Sequence, residues 1–190
     1  WSPFISKVAT TFSVIKSAES IVKYSKKENN INLAIIDAIG EWKNYRKIIN
    51  PKIEIINLSK KNISESLPKV GFFKSRLSYA LIFALTFFKL LNLINKEKPD
   101  YIIAHLLTSL PIFLTLIIKN KTKVIIRISG LPKLNLVRYI FWKLFSKKIY
   151  RVTCPTTLTY EYLKKINIFD QNKLFVLRDP VIQLHEFLKK

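Results

Sequence analysis

Residues 101–129 read YIIAHLLTSLPIFLTLIIKNKTKVIIRIS, and this stretch decides the fold class. Its two apolar runs, residues 101–105 and 123–129, have the length and composition of buried strands. The segment between them, residues 109–119, carries Pro111 near its start, which is typical of a helix with proline in the first turn. A strand, a helix and a second strand in this order predict a parallel βαβ unit.

The same alternation continues on both sides of this unit. Further strands are predicted at residues 31–37, 53–58, 149–154 and 173–177, and further helices at residues 4–27, 75–96, 134–147 and 156–166. Apolar strands that alternate with helices indicate a parallel sheet covered by helices on both faces. The sequence therefore predicts an α/β protein with a Rossmann-like, doubly wound parallel sheet.

The predicted order begins with a helix, although doubly wound domains usually begin with a strand. We expect the first strand of the pattern to be missing, which would leave two strands about 10 Å apart without hydrogen-bond partners. An isolated chain of this kind is expected to be marginally stable. Because Trp1 opens a chain without any methionine, we also expect residues upstream of it.

The composition is strongly basic. Thirty-three Lys and Arg residues against twelve Asp and Glu give a net charge of +21, which attracts phosphates, nucleic acid or anionic lipid. The abundance of Lys, Ile and Asn is equally typical of coding sequences that have drifted toward A and T, and both explanations stay open. Nucleic-acid binding rests on this charge alone, because no helix-turn-helix or RNA-binding signature is present.

The single cysteine excludes an internal disulfide, and the absence of a Cys/His cluster excludes a zinc framework of the usual spacing. These features favour a reducing cytoplasm. The longest apolar run, residues 79–94, is interrupted by Lys89 and is shorter than the roughly 20 residues of a membrane-spanning helix. It predicts a buried or interfacial helix.

Polar residues stand at the carboxyl ends of the predicted strands, where open parallel sheets bind ligands. His105 ends one strand, Ser129 and Gly130 end the next, and we expect them to converge on one rim. A neutral His105 imidazole there would orient a substrate hydroxyl or contact a phosphate. The alternative is a histidine that the backbone merely satisfies.

Arg127 lies inside an apolar strand, where a guanidinium is costly to bury unless an acidic group, a carbonyl, a ligand or the sheet edge satisfies it. A structural salt bridge and a ligand contact both stay open. Gly130 would let the backbone approach a ligand, with Lys133 as a donor, although Ser129 and Gly130 also suit a plain turn. Cys154 has no base nearby and is expected to be a small buried side chain rather than a nucleophile.

No dinucleotide-binding, P-loop, zinc-protease or nucleophile-elbow motif is present. Four segments in order instead resemble the acceptor domain of family-four, GT-B type glycosyltransferases of bacterial surface polysaccharide synthesis. They are PDYIIAHLLTSLPIFLTLI, KVIIRISGLPKLN, VTCPTTLTYEYL and KLFVLRDPVI, at residues 99–117, 123–135, 152–163 and 173–182. Residues 1–20, WSPFISKVATTFSVIKSAES, resemble the loop and first helix after that family's first strand.

The resemblance implies sugar transfer from a nucleotide-sugar donor to a polysaccharide or lipid-linked acceptor, with no cofactor and no obligatory metal. Residues 1–180 would be the acceptor-side domain and residues 181–190 the start of the hinge to a donor-binding domain outside this chain. His105 would then be catalytic. The acceptor site would include Lys7, Arg127, Ser129, Gly130 and Lys133. A GT-B sugar-nucleotide epimerase and a gene fragment without function are the alternatives.

Two basic helical segments, residues 71–94 and 134–148, have the composition of interfacial helices on anionic lipid. In the second segment the aromatic side chains are Phe141, Trp142 and Phe145, and the basic ones are Lys143, Lys147 and Lys148. Such helices would place the protein peripherally on the inner face of the plasma membrane. Ordinary helices that pack their aromatic side chains on the sheet are the alternative.

Overall fold

The computed structural model describes residues 1–6, 8–25, 31–68 and 71–180. α-Helices and strands alternate along these residues, except that a 3₁₀ helix (Lys43–Tyr45) stands between the first two strands. The helices are α1 (Ala9–Tyr24), α2 (Phe72–Glu97), α3 (Ser109–Leu114), α4 (Leu136–Phe145) and α5 (Thr157–Ile166). The strands are β1 (Ala34–Asp37), β2 (Glu54–Asn57), β3 (Tyr101–Ala104), β4 (Lys123–Arg127), β5 (Arg151–Cys154) and β6 (Leu174–Val176). The predicted α/β class is confirmed.

The strands form two parallel sheets, β1–β2 and β3–β4–β5–β6. In the larger sheet Ala104 pairs with Ile126, and Ile126 pairs with Val152. Cys154 pairs with Val176 at the end of the last ladder. Because all four strands run in the same direction, their carboxyl ends lie on one rim of the sheet.

Hydrogen bonding is interrupted between β1 and β3, which belong to different sheets. Trp1 lies against the open edge of β3. Its amino group donates to the carbonyl oxygen of Ile103 at 2.8 Å, and its own carbonyl accepts from the N–H of His105 at 2.9 Å. These two bonds flank Ala104, as in a parallel bridge between Trp1 and that residue. A first strand beyond these residues stays a prediction.

The helices cover the sheets unequally. Alternate residues of the larger sheet, such as Ile102, Val124 and Val152, face a core that includes side chains of α2, α3, α4 and α5. The opposite face carries Ile103 and Ile125, which are half-buried and belong to neither hydrophobic core of the described residues. Helices therefore flank the sheets, but one face of the larger sheet is only partly covered.

α1 begins later than its apolar pattern suggested. Residues 1–6 are not helical, and Phe4 is 5% exposed in the second core rather than on the helix. Its ring packs edge-on against Trp42 and Tyr45, with centroid distances of 5.2 and 5.7 Å. Phe4 is apolar because it packs on Trp42 and Tyr45. Its position happens to continue the apolar spacing of α1, so the pattern predicted a longer helix.

The turn after β1 requires glycine. Gly40 has φ +90°, and its N–H donates to Asp37 Oδ1 at 2.7 Å. A Cβ atom on Gly40 would lie 2.8 Å from the Cα atom of Asn62, closer than real Cβ contacts. Both the backbone conformation and the lack of space therefore exclude a larger residue.

Gly40→Ala is expected to lower the free energy of unfolding by roughly 2–4 kcal/mol, because positive φ and the backbone contact are both unfavourable. Gly130→Ala is the matched control, since a Cβ there meets nothing within 4 Å. Its effect should stay within about 0.5 kcal/mol. Urea denaturation followed by circular dichroism measures both changes. Equal, small losses in the two variants would contradict this turn geometry.

Candidate functional site

The candidate site is the carboxyl rim, which we define as residues 37–41, 105–107 and 127–130 together with Cys154 and Asp179. These residues end or follow β1, β3, β4, β5 and β6. Parallel pairing brings the ends of β3 to β6 to one side of the larger sheet. The loop after β1 lies near them, since Glu41 acts on the charge of the Trp1 amino group, which bonds to β3. Open parallel sheets bind their ligands at such rims.

His105 follows β3 directly and is half-buried. Its Nδ1 atom is buried and has no hydrogen-bond partner within the described part of the chain. The backbone therefore does not satisfy this ring atom, as the alternative interpretation required. Burial, reinforced by the amino group of Trp1 and by Arg127, lowers the pKa of His105 to about 3. The imidazole is neutral at physiological pH and has one donor and one acceptor nitrogen.

Leu107 lies two residues beyond His105 in an unusual conformation. Its φ is +46°, which is unfavourable for a side chain with a Cβ atom, and its carbonyl accepts from Trp1 Nε1 at 3.1 Å. An apolar cavity of about 320 Å³ opens beside it. The cavity is lined by Tyr79, Ala80, Phe83, Leu107 and Ser109. Strained backbone next to a cavity is typical of functional sites.

Arg127 is 3% exposed. Its Nη2 donates to the carboxylate of Asp179 and to the carbonyl oxygen of Leu177, the latter at 2.8 Å. The guanidinium thus reaches an acidic group and a carbonyl, two of the partners that the sequence allowed. Its Nε is buried without a partner among the described residues. The salt bridge is present, and contact between Arg127 and a ligand stays a prediction.

Ser129 and Gly130 are exposed and begin an open loop. Lys133 is exposed in the same loop, and its carbonyl accepts from Arg138 Nη1 at 2.9 Å, which ties the loop to α4. The Ser129 side chain and the Gly130 backbone are therefore accessible in the loop that follows Arg127. Lys7, the remaining predicted acceptor residue, lies outside the described residues.

Cys154 is fully buried at the end of β5. Its Sγ donates to the carbonyl oxygen of Phe175 at 3.4 Å. Burial raises the pKa of the thiol, against a smaller opposing effect of Arg127. These properties confirm a small buried side chain and do not suit a nucleophile.

Asp37 and Glu41 form a buried acidic pair that was not predicted from the sequence, and they are 2% and 6% exposed. The Glu41 carboxylate accepts from the N–H groups of Ala38 at 3.1 Å and Ile39 at 2.7 Å. Burial and a hydrogen bond with Asp37 raise the pKa of Glu41 to about 8. Arg46 Nη2 lies 3.7 Å from Asp37 Oδ2, so a guanidinium stands beside this pair.

The rim thus combines a neutral imidazole, a buried guanidinium, a protonated carboxyl and a loop with an exposed serine hydroxyl. Such groups orient hydroxyls and bind polar ligands by hydrogen bonding. Within the described ranges, no group of three or more His, Cys, Asp or Glu side chains is arranged to hold a metal ion.

Comparisons with known proteins bear on the fold. No protein-family model matches the sequence, and no curated protein matches it. Among solved structures, UDP-N-acetylglucosamine 2-epimerase from Rickettsia bellii is similar, with a TM-score of 0.58 and 13% identity. The match covers 96% of this chain and 46% of that one, so the chain spans about half of that protein's length. At this identity the similarity shows the fold alone, one half of a GT-B-like arrangement.

In the wild type, the free energy of unfolding is expected to fall as the pH rises, and Glu41→Gln should reduce this fall. The raised pKa means that the folded protein keeps a proton that the unfolded chain releases above its ordinary pKa of 4.5. Stability present below that value is lost as the pH rises through about 8. One pKa unit corresponds to about 1.4 kcal/mol, so the wild type should lose roughly 2–4 kcal/mol relative to the variant between pH 5 and pH 9.

Urea denaturation of both proteins across this pH range measures the difference. Glutamine keeps an oxygen for the Ile39 N–H and offers a donor to Asp37, but the Ala38 N–H loses its acceptor. The variant is therefore expected to be less stable by a constant amount at every pH, and only the pH dependence is compared. His105 titrates in both proteins without a contribution from Glu41 and cancels in the comparison. Glu41 does act on the Trp1 amino group, but burial lowers the pKa of that group to about 5, so its effect is confined to the acidic end of the range. Parallel pH profiles would show that Glu41 does not carry the buried proton.

Proposed function

We propose that this chain is the acceptor-side half of a GT-B type enzyme that transfers sugar from a nucleotide donor to a saccharide or lipid-linked acceptor. The observation that carries the proposal is the position of His105 and Arg127 on one carboxyl rim, beside the exposed Ser129–Gly130 loop. Arg127 contributes to the lowered pKa of His105, which indicates that the two side chains are close. The family-four resemblance supports transfer as the reaction.

The low pKa of His105 decides its role. A base with a pKa of about 3 holds a transferred proton poorly at neutral pH. His105 therefore orients an acceptor hydroxyl through a hydrogen bond instead of carrying its proton through the reaction.

The neighbouring residues would bind the acceptor. The Ser129 hydroxyl and the Gly130 N–H would contact saccharide hydroxyls, and Lys133 would contact an anionic group further along the acceptor. Arg127 would shape the rim through its salt bridge with Asp179. Lys7 is assigned to the acceptor side by the resemblance alone.

An enzyme whose active site lies between two domains cannot hold donor and acceptor in reacting geometry when one domain is absent. We therefore expect the 190-residue chain to show no nucleotide-sugar turnover by itself. In the proposed enzyme the donor site lies in a further domain, and neither a cofactor nor an obligatory metal is required. Robust transferase activity of this chain alone would contradict the division into acceptor and donor halves.

An epimerase is the second candidate, because the similar solved structure is named as a sugar-nucleotide epimerase. The two reactions differ in their need for an acceptor. In a polypeptide that includes the donor-binding domain, UDP release that depends on an added saccharide supports transfer. Conversion of UDP-N-acetylglucosamine into a second nucleotide sugar without any acceptor supports epimerisation.

Acceptor binding is testable on the chain itself. Titration of the ¹⁵N-labelled protein with a panel of short oligosaccharides should shift the backbone amide signals of residues 105, 129 and 130. Ser129→Ala should weaken the binding several-fold, because a hydrogen bond to a hydroxyl contributes about 1 kcal/mol. Ser146→Ala removes a hydroxyl after α4, beside Lys173 at the amino-terminal end of β6 and so away from the rim, and should change nothing. Saccharide-induced shifts confined to other surfaces would contradict the proposed site.

A further inference from the structure

α2 has two apolar faces. The residues of its inner face recur every four positions and are at most 1% exposed: Ser78, Ile82, Thr86, Leu90 and Ile94. The outer face carries Leu77, Leu81, Leu85 and Phe88, which are 57%, 40%, 45% and 70% exposed. A surface helix of a globular protein normally has charged and polar side chains at such positions. The outer face of α2 therefore suits an apolar partner.

α2 is also longer than the sequence analysis predicted. Among the described residues, Phe73–Glu97 is the one segment long and apolar enough to cross a membrane, with a mean hydropathy of 1.9 over its most apolar 18 residues. Its inner face, however, packs in the main core through Ile82, Leu90 and Ile94. If α2 crossed a bilayer, these side chains would lose their contacts with the core. The packing favours a helix that lies along a surface.

α4 has a similar outer face. Val137, Ile140 and Leu144 lie three and four residues apart and are 76%, 47% and 72% exposed. Phe113 of α3 links the two helices, since its ring contacts Phe87 of α2 at 6.0 Å and Phe145 of α4 at 6.2 Å. α2, α3 and α4 thus form one layer, and both outer faces belong to it.

The aromatic residues that the sequence analysis placed at a lipid interface face the other way. Trp142 and Phe145 are 6% and 8% exposed, and Phe141 is half-buried against Phe145 with centroids 4.5 Å apart. Trp142 packs on Phe169 at 5.4 Å. Trp142 and Phe145 therefore follow the alternative that the sequence left open, in which an ordinary helix packs its aromatic side chains inward, because both rings belong to the main core.

The surroundings of this layer are basic. Residues 101–160 contain ten Lys or Arg side chains and no Asp or Glu. Just beyond α4, an open cavity of about 330 Å³ is lined by polar and basic residues. Its cationic side chains are Lys123, Lys147, Lys148, Arg151 and Lys173. Asp170, 3.7 Å from Lys173, offsets part of this charge.

The cavity has both the charge and the position for headgroup phosphates. Lys147 and Lys148 are exposed and lie one helical turn beyond Leu144, the last residue of the outer face of α4. Apolar side chains bordered by Lys and Arg are the pattern of a protein surface that enters the boundary between headgroups and acyl chains. Two copies of a +21 chain repel each other, which disfavours a dimer on this face.

We propose that the outer faces of α2 and α4 dock on an anionic lipid bilayer, with headgroup phosphates in the cavity lined by Lys147, Lys148 and Arg151. Leu81, Leu85 and Ile140 enter the acyl region, and the lysines stay among the headgroups. Nucleic acid would occupy the basic cavity but would leave the apolar faces exposed. Docking does not depend on the sugar chemistry, so each proposal fails independently of the other.

Vesicle flotation tests the docking with the full 190-residue chain. We expect the protein to float with vesicles of phosphatidylcholine and phosphatidylglycerol in equal parts and much less with phosphatidylcholine alone. Leu85→Gln combined with Phe88→Gln should weaken partitioning by about tenfold or more, because two apolar side chains no longer leave water. Phe12→Gln, an exposed apolar position on α1, is the matched control and should have no effect.

The charge contribution has its own pair of variants. Lys147→Gln with Lys148→Gln should weaken binding to the anionic vesicles by about tenfold, whereas Lys60→Gln with Lys61→Gln, the same charge change at exposed positions after β2, should not. Circular dichroism confirms that each variant is folded.

Several results would overturn the proposal. They are equal flotation with neutral and anionic vesicles, equal losses in test and control variants, or calorimetric binding of inorganic phosphate without vesicle binding. Analytical sedimentation is the last test. A dimer that dissociates in the Leu85→Gln and Phe88→Gln variant would show that the face serves self-association instead.

Discussion

Parallel pairing of β3, β4 and β5 is the constraint on which the rest of the structure depends. Because Ala104 lies beside Ile126 and Ile126 beside Val152, the three strands end together. His105 and Arg127, 22 positions apart in sequence, therefore share one rim. The charge of Arg127 acts on His105 only because of this arrangement, and the neutral state of the imidazole follows from it together with burial.

The fold was largely readable from sequence because buried strands and covering helices have different periodicities. Strand ends also identified His105, Ser129 and Gly130 as residues of one rim. Arg127 was expected inside a strand and reaches the rim because β4 ends at this residue. The burial of Asp37 and Glu41 was not readable, since it results from the fold of the loop around Gly40. The positive φ of Leu107 has no sequence signal, because leucine rarely adopts it. On α4 the spacing of apolar residues defines two faces, but it does not determine that the face with Trp142 is the buried one.

Two surfaces of the protein meet along α2. Its inner face holds the helix on the sheet, and its outer face is exposed and apolar. Tyr79 and Ala80 of the same helix line the apolar cavity that opens beside Leu107, two residues from His105. The proposed docking face and the proposed acceptor site are thus connected by one helix, and an acceptor with an apolar chain would fit both.

Interstrand nuclear Overhauser effects test the central arrangement most directly. The account predicts backbone contacts of parallel type between Ala104 and Ile126 and between Ile126 and Val152, together with a contact from Trp1 to Ala104. Those contacts place His105 and Arg127 on the same rim. Antiparallel contacts, or a register shifted by one residue that turns Arg127 to the opposite face, would contradict the account.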